Sequence, residues 1–242
     1  MAAPGIHRIS CSRAHGRDGC SQCKVRLLSV CAALDPDELG EIESLAQPMT
    51  YAARATLFMQ EEPADYLFNV TSGAVRLYNL LPDGRRQIVG FALPGDFIGL
   101  GLAEFHGFSA DAIGETELCR FSRAAFVELV GRKPHLLRRL HELATHELSI
   151  AQDHMMLLGR QTAEERVVSF LLRLSDRWSR ILGPSATVPL PMGRQDIADF
   201  LGLTIETVSR TLTALERDAM ILIVPDGVRL LKPQSLERVS AA

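Results

Sequence analysis

The chain has 242 residues, 47% of them apolar and 23% charged, with a net charge of −3. That is enough chain for two packed domains of ordinary globular composition. No run of about 18 apolar residues occurs and no continuous apolar stretch opens the chain, so neither a membrane partner nor secretion is expected.

The expected compartment is a reducing cytoplasm, where closely spaced cysteines bind metal or do redox chemistry rather than form structural disulfides. Charge is unevenly spread. Residues 1–31 hold five basic residues against one acidic, a net of +4, whereas residues 32–122 hold five against fourteen, a net of −9. Residues 123–159 and 160–242 each carry +1. An acidic middle repels phosphate, so a nucleic-acid surface is expected at the C-terminal end.

In chain order, residues 1–31 form a cysteine-bearing segment with Cys20-Ser21-Gln22-Cys23, Cys31 and a spare Cys11. Pro36, two acids and Leu39, Ile42 and Leu45 at helical spacing predict a short helix over 36–46. Residues 32–130 make a sensory domain. From Met49 to Phe121 short alternating runs (Thr56–Phe58, Tyr66–Val70, Ala74–Tyr78, Gln87–Phe91) are separated by Thr71-Ser72-Gly73, Pro82-Asp83-Gly84 and Pro94-Gly95-Asp96. That pattern predicts an antiparallel barrel or double-stranded roll.

Residues 123–158 read as helical, with a dimerisation helix over 131–159. One stripe (Leu137, His141, Ala144, Leu148, Ala151, Met155, Leu158) steps by four and three in turn, a heptad seam. A second stripe runs through Leu136, Leu140, Leu143, Ile150 and Leu157. Two apolar faces are either both buried in one core or divided between the chain's own domain and a second copy. The second reading is adopted: a homodimer with a seam kept marginal by its alanines and histidine.

The last segment, 160–242, opens with Thr162-Ala163-Glu164-Glu165, a capping box, and continues to a short strand at Thr187–Leu190. Residues 193–219 have a helix-turn-helix pattern. Ile197, Ala198 and Leu201 form an inner face; Gly202 serves the turn. Thr204 caps the second helix, and Val208, Leu212 and Leu215 pack it inward. Glu206, Thr207, Ser209, Arg210 and Thr213 are left facing out. Arg donates to guanine O6 and N7, Glu accepts from cytosine N4, and Ser bonds either way, so double-stranded DNA is the expected partner. Glu206, Ser209 and Arg210 are the base readers; Thr204, Thr207 and Thr213 support them. Ile221–Val224, Pro225-Asp226-Gly227 and Val228–Leu231 read as a hairpin wing.

Four thiols suit zinc or an iron–sulfur cluster. Cys119, in an alternating apolar run, is equally a small buried core residue. No catalytic constellation accompanies them, so no enzyme is expected.

The chain resembles the fumarate and nitrate reduction regulator (FNR) branch of the cyclic AMP receptor protein superfamily. The resemblance rests on Cys20-x2-Cys23-x7-Cys31, Leu93-Pro94-Gly95-Asp96-Phe97-Ile98-Gly99, Ala163-Glu164-Glu165-Arg166 and Leu201–Arg210. It implies an α+β chain: an antiparallel β-roll (a cyclic-nucleotide-binding-like jelly roll), a long dimerisation helix and a C-terminal winged helix-turn-helix. It further implies that Cys20, Cys23, Cys31 and Cys119 hold an oxygen-labile [4Fe-4S] cluster, and that Glu206, Ser209 and Arg210 read TTGAT-type half-sites. The function implied is oxygen-responsive activation of anaerobic genes. The seven-residue spacer before Cys31 is similar to that of alphaproteobacterial members; enterobacterial ones have five. Arg85 and Arg86, at a hairpin tip, are the implied contact with RNA polymerase. Cyclic nucleotide binding is not expected, because Phe108 stands where an arginine would take the phosphate and Asp111 follows. The alternatives are a zinc-stabilised or cluster-free regulator, and an iron–sulfur electron-transfer protein.

Overall fold

The computed structural model describes residues 7–8, 16–99 and 104–240; Cys11 lies outside them. The chain divides into two compact units, Met1–Asn79 with Val89–Leu148, and Leu80–Ile88 with Ser149–Ala242.

The first unit is built on β1 (His7–Arg8), β2 (Ala46–Tyr51), β3 (Thr56–Phe58), β4 (Tyr66–Ser72), β5 (Val75–Leu80), β6 (Arg86–Ala92), β7 (Phe97–Ile98), β8 (Ser109–Ala112) and β9 (Thr116–Ser122). They form a five-stranded sheet ordered β1-β2-β9-β4-β7 and a four-stranded sheet ordered β3-β8-β5-β6. The pairings of β9 with β2 and β4, and of β5 with β8, are antiparallel. Successive side chains of a strand point to opposite faces, and β4 and β9 use both. Phe68, Val70 and Leu118 belong to one apolar cluster, with Phe58 and Ile98. Leu67, Cys119 and Phe121 belong to another. That second cluster is closed by α1 (Leu39–Leu45), α2 (Arg123–Arg132) and the first turns of α3 (Pro134–Arg160), through Ile42, Phe126, Leu129, Leu136 and Leu140.

The sequence reads as one helix across 123–158, but the structure breaks it between Arg132 and Pro134. Proline brings no N–H and disfavours the helical conformation in the residue before it; Lys133 sits at φ −127°, ψ 87°. The two stripes of α3 part as their spacing implies. Leu136, Leu140 and Leu157 are buried, while Leu137, Leu148 and Met155 are 54%, 58% and 64% exposed. His141, Ala144 and Ala151 are exposed too, and Leu158 is half-buried.

The second unit holds α4 (Ala163–Leu182), β10 (Thr187–Pro189), α5 (Arg194–Leu201), α6 (Ile205–Arg217), β11 (Ile221–Val224), β12 (Gly227–Leu230) and α7 (Pro233–Ser240). The Thr162 hydroxyl accepts from the Glu165 N–H and the Glu165 carboxylate from the Thr162 N–H, so the expected capping box is formed. β10, β12 and β11 make a small antiparallel sheet in that order. α7, which the sequence pattern did not suggest, packs on α4, with the Ser240 and Ser169 hydroxyls 2.8 Å apart.

Candidate functional site

The turn between α5 and α6 is made by Gly202 at φ 62°, ψ 39°, a left-handed conformation that favours glycine. Ala198 O accepts from both the Gly202 and Leu203 N–H groups. The Thr204 hydroxyl then accepts from the Thr207 N–H at 3.2 Å and caps α6. Val208, Leu212 and Leu215 are fully buried. They turn Glu206, Arg210 and Thr213 to solvent, with Ser209 half-buried beside them. Two of the predicted outward side chains, Thr207 and Thr213, have local bonds. Thr207 Oγ1 lies 3.0 Å from Thr204 Oγ1, and Thr213 Oγ1 donates to Ser209 O at 3.0 Å. Of the base-reading set, Glu206 and Arg210 therefore present the most side chain near the N-terminus of α6. β11 and β12 meet through the two-residue turn Pro225-Asp226, with Val224 opposite Gly227, and form the wing.

Arg166 gained no role from sequence and has a large one. Its Nε donates to Gln161 O (2.9 Å), Nη1 to Leu201 O (3.0 Å) and Nη2 to Leu158 O (2.8 Å). One guanidinium thus satisfies carbonyls at the C-terminal ends of α3 and α5, where orphan acceptors and a cation suit each other. Only a three-dimensional view finds this; the Ala163–Arg166 motif marked the place without the reason.

The thiol segment is built differently. Gly16–Gln22 and Val30–Ala33 are short 3₁₀ turns, and Cys23 N donates to Cys20 O over 3.4 Å. Ser29, fully buried, caps the second turn: its Oγ donates to Arg26 O and accepts from the Cys31 N–H at 3.2 Å. Its part in fixing Cys31 was not foreseen. Gly95, at φ 99°, lies so close to Leu28 that a Cβ there would come within 2.8 Å of the Leu28 side chain. Arg139 Nη2 donates to Leu28 O at 3.4 Å. Glu38 receives Lys133 (2.8 Å) and His135 (2.9 Å), and Lys133 also meets Glu41 (2.7 Å). The Lys133 hydrogen bond, helped by the Asp35 N–H, lowers the Glu38 carboxyl to about 2.

Cys20, Cys23, Cys31 and Cys119 all carry thiols. Cys119 is 6% exposed, and Cys31 packs against the apolar cluster that contains it. Burial, with Cys23 nearby, pushes the Cys31 thiol up to about 11 against the Ser29 hydrogen bond. Among the described residues, no three His, Cys, Asp or Glu side chains converge tightly enough to hold a metal ion. Across the strand from Cys119 stands Asn69, 2% exposed, whose Oδ1 is buried with no hydrogen-bond partner. The donor set fits an iron–sulfur cluster in kind, as four soft sulfurs. In place, the fit extends to Cys31 and Cys119 at one apolar cluster, beside a polar atom that awaits a partner.

Phe108 and Asp111, the two residues read against a cyclic nucleotide, both have partners within the roll. Phe108 packs into the inter-sheet cluster, and the Phe58 and His106 rings stack at 3.6 Å. Asp111 accepts from Thr56 Oγ1 (2.9 Å), Arg76 Nη2 (3.1 Å) and Tyr78 OH (3.4 Å).

A β-roll, a long helix with one exposed apolar stripe and a winged helix-turn-helix define a DNA-binding regulator. Residues 48–133 match the cyclic nucleotide-binding domain family and residues 165–239 the Crp-like helix-turn-helix domain family. The chain is 52% identical to the transcriptional activatory protein AadR of Rhodopseudomonas palustris, over 92% of this chain and 93% of that one. It is 53% identical to the nitrogen fixation regulation protein FixK of Bradyrhizobium diazoefficiens, over 92% and 94%. Identity to the transcriptional activator protein FnrL of Cereibacter sphaeroides is 36%, over 88% and 90%. The solved structure of FixK2 from Bradyrhizobium japonicum superposes with a TM-score of 0.76 at 40% identity, covering 81% of this chain and 98% of that one. The chain belongs to the Crp/FNR family and is a transcription activator of that type, not an enzyme. Membership implies DNA and a second copy of the chain as partners. No described helix is long and apolar enough to cross a membrane.

Proposed function

We propose that this activator responds to oxygen through Cys20, Cys23, Cys31 and Cys119, which would hold a [4Fe-4S] cluster. The observation that carries the reading is the packing of Cys31 against the buried cluster containing Cys119. A thiol in the N-terminal segment and one from the middle of a sheet, 88 positions apart in sequence, serve one apolar site. When bound, the cluster would supply the oxygen-sensitive chemistry. The protein's own residues do the rest. Leu28 against Gly95 and Arg139 on Leu28 O hold the segment to the roll and to the start of α3. Its ordering favours pairing along Leu137, His141, Ala144, Leu148, Ala151, Met155 and Leu158. Pairing sets two copies of α6 about one DNA turn apart, where Glu206, Ser209 and Arg210 read TTGAT-type half-sites. A few kcal/mol of differential stability moves such an equilibrium.

RNA polymerase is the proposed second partner, met by Arg85, whose side chain is 77% exposed. Cyclic nucleotide is excluded from the proposal, since Asp111 already occupies Arg76 and Phe108 brings no charge. A zinc-stabilised or cluster-free regulator is the competing reading; the lack of any converged donor set among the described residues favours the cluster-free form of it. The electron-transfer reading is dropped, because the relatives are regulators of transcription. The deciding experiment is Cys119→Ser, prepared without oxygen. Loss of bound iron and sulfide with the fold retained is the expected outcome; full iron retention contradicts the ligand set.

A further inference from the structure

The second unit contains a segment from far upstream, Leu80–Ile88, the tip that joins β5 to β6. Its two arginines have different surroundings. Arg85 is exposed and pairs locally with Asp83 at 2.7 Å. Arg86 is 23% exposed and meets two carboxylates of α5. Its Nη2 lies 2.7 Å from both Asp196 Oδ1 and Asp199 Oδ2, and its Nε lies 3.0 Å from Asp199 Oδ2. The acids are 10% and 16% exposed. Gln87 Nε2 adds a bond to Asp199 O at 2.8 Å.

We propose that this tip is a working part of the DNA-reading unit. Arg86 is a positioning residue that clamps α5, the first helix of the helix-turn-helix, and so sets the pose of α6 on DNA.

Asp196 and Asp199 lie three positions apart on α5, on neighbouring turns where like charges repel. A single planar guanidinium bridges both, which a point-charge lysine does poorly. Each acid has a second duty. Asp196 Oδ2 accepts from the Gly193 N–H that starts α5, and Asp199 Oδ1 accepts from Gln195 at 2.6 Å. The clamp therefore grips the start and middle of α5. α5 leads into α6 through a tight turn in which the Ala198 carbonyl takes both turn N–H groups, and Arg166 holds the end of α5 by its bond to Leu201 O. Removing Arg86 leaves two poorly hydrated carboxylates facing each other, a large penalty for partly buried charges.

The test uses the full-length protein, a duplex with two TTGAT half-sites, and backbone amide exchange across residues 194–203. Arg86→Ala and Asp199→Asn should each weaken duplex binding by about tenfold and speed exchange in that stretch. Arg86→Lys should fall between. The charge swap Arg86→Asp with Asp199→Arg should recover most of both readouts, which loss of general stability alone would not produce. If Arg86→Ala unfolds, the swap decides: recovery supports the clamp and no recovery overturns it. Unchanged exchange and affinity in Arg86→Ala also overturn it. So does lost transcription with duplex binding intact, which would assign Arg86 to the polymerase. Amide exchange does not depend on the duplex, so failure of the unsubstituted protein to bind would count against the half-site reading alone.

Discussion

The thiol segment and the helix-turn-helix are both short stretches, yet they are built to opposite standards. In α5 and α6 the turn glycine, the Thr204 cap and a continuous buried stripe agree, and Arg166 and Arg86 clamp the result. Between Cys20 and Ala33 the chain runs in turns and short 3₁₀ segments, with buried anchors at Val25, Ser29 and Val30, local turn bonds such as Leu28 N to Val25 O at 3.0 Å, and longer-range bonds such as Arg139 to Leu28 O at 3.4 Å. Elements that switch are drawn from the low-stability end of a structure, and elements that read must hold their shape. The contrast between these stretches is what the proposed oxygen-controlled reader would require.

The contrast can be broken or sharpened by substitution. Leu212→Ala, in the fully buried stripe of α6, should cost about 3 kcal/mol in urea unfolding of the DNA-reading unit. Gly202→Ala should cost about 1 kcal/mol, from left-handed strain rather than collision, since the nearest atom to an added Cβ is 3.5 Å away. Ser29→Ala should cost about 1 kcal/mol and act locally, with faster amide exchange over 29–34 and little change in α6. Equal spread of that effect into α6 would erase the distinction between the regions. The smallest effect is on pH. The Glu38 carboxyl is depressed to about 2 in the folded chain, chiefly by Lys133, so its contribution is complete above the unfolded value near 4.5. It fades as pH falls from there towards 2. Acid titration of Glu38→Gln should be flatter than that of the unsubstituted chain in this window and parallel to it at neutral pH.

Much of the DNA-reading unit was legible because its signals are local. A glycine at the turn, a threonine cap and a period-3.6 stripe need no distant partner, and the Thr162 capping box is equally self-contained. The division of α3 into two stripes was legible for the same reason: Leu136, Leu140 and Leu157 are buried and Leu137, Leu148 and Met155 exposed. Local signals failed where the effect is either too small or too distant. Pro134 outweighed a helical pattern that ran straight through it. β8, buried throughout, gives no alternation to read. Arg166 and Arg86 act on groups 35 and 110 or more residues away, and no periodicity announces such pairings. The thiols were legible in kind but not in arrangement, since spacing gives no distance from Cys31 to a sheet residue such as Cys119.

The account turns on whether the state of the thiols governs DNA binding. The most direct measurement is operator affinity of protein prepared without oxygen, taken together with its iron and sulfide content, before and after exposure to air. Bound iron and sulfide with tight binding are expected at first, then loss of both cluster and affinity in step. A colourless protein containing zinc, or an operator affinity unchanged after the iron has gone, would contradict it.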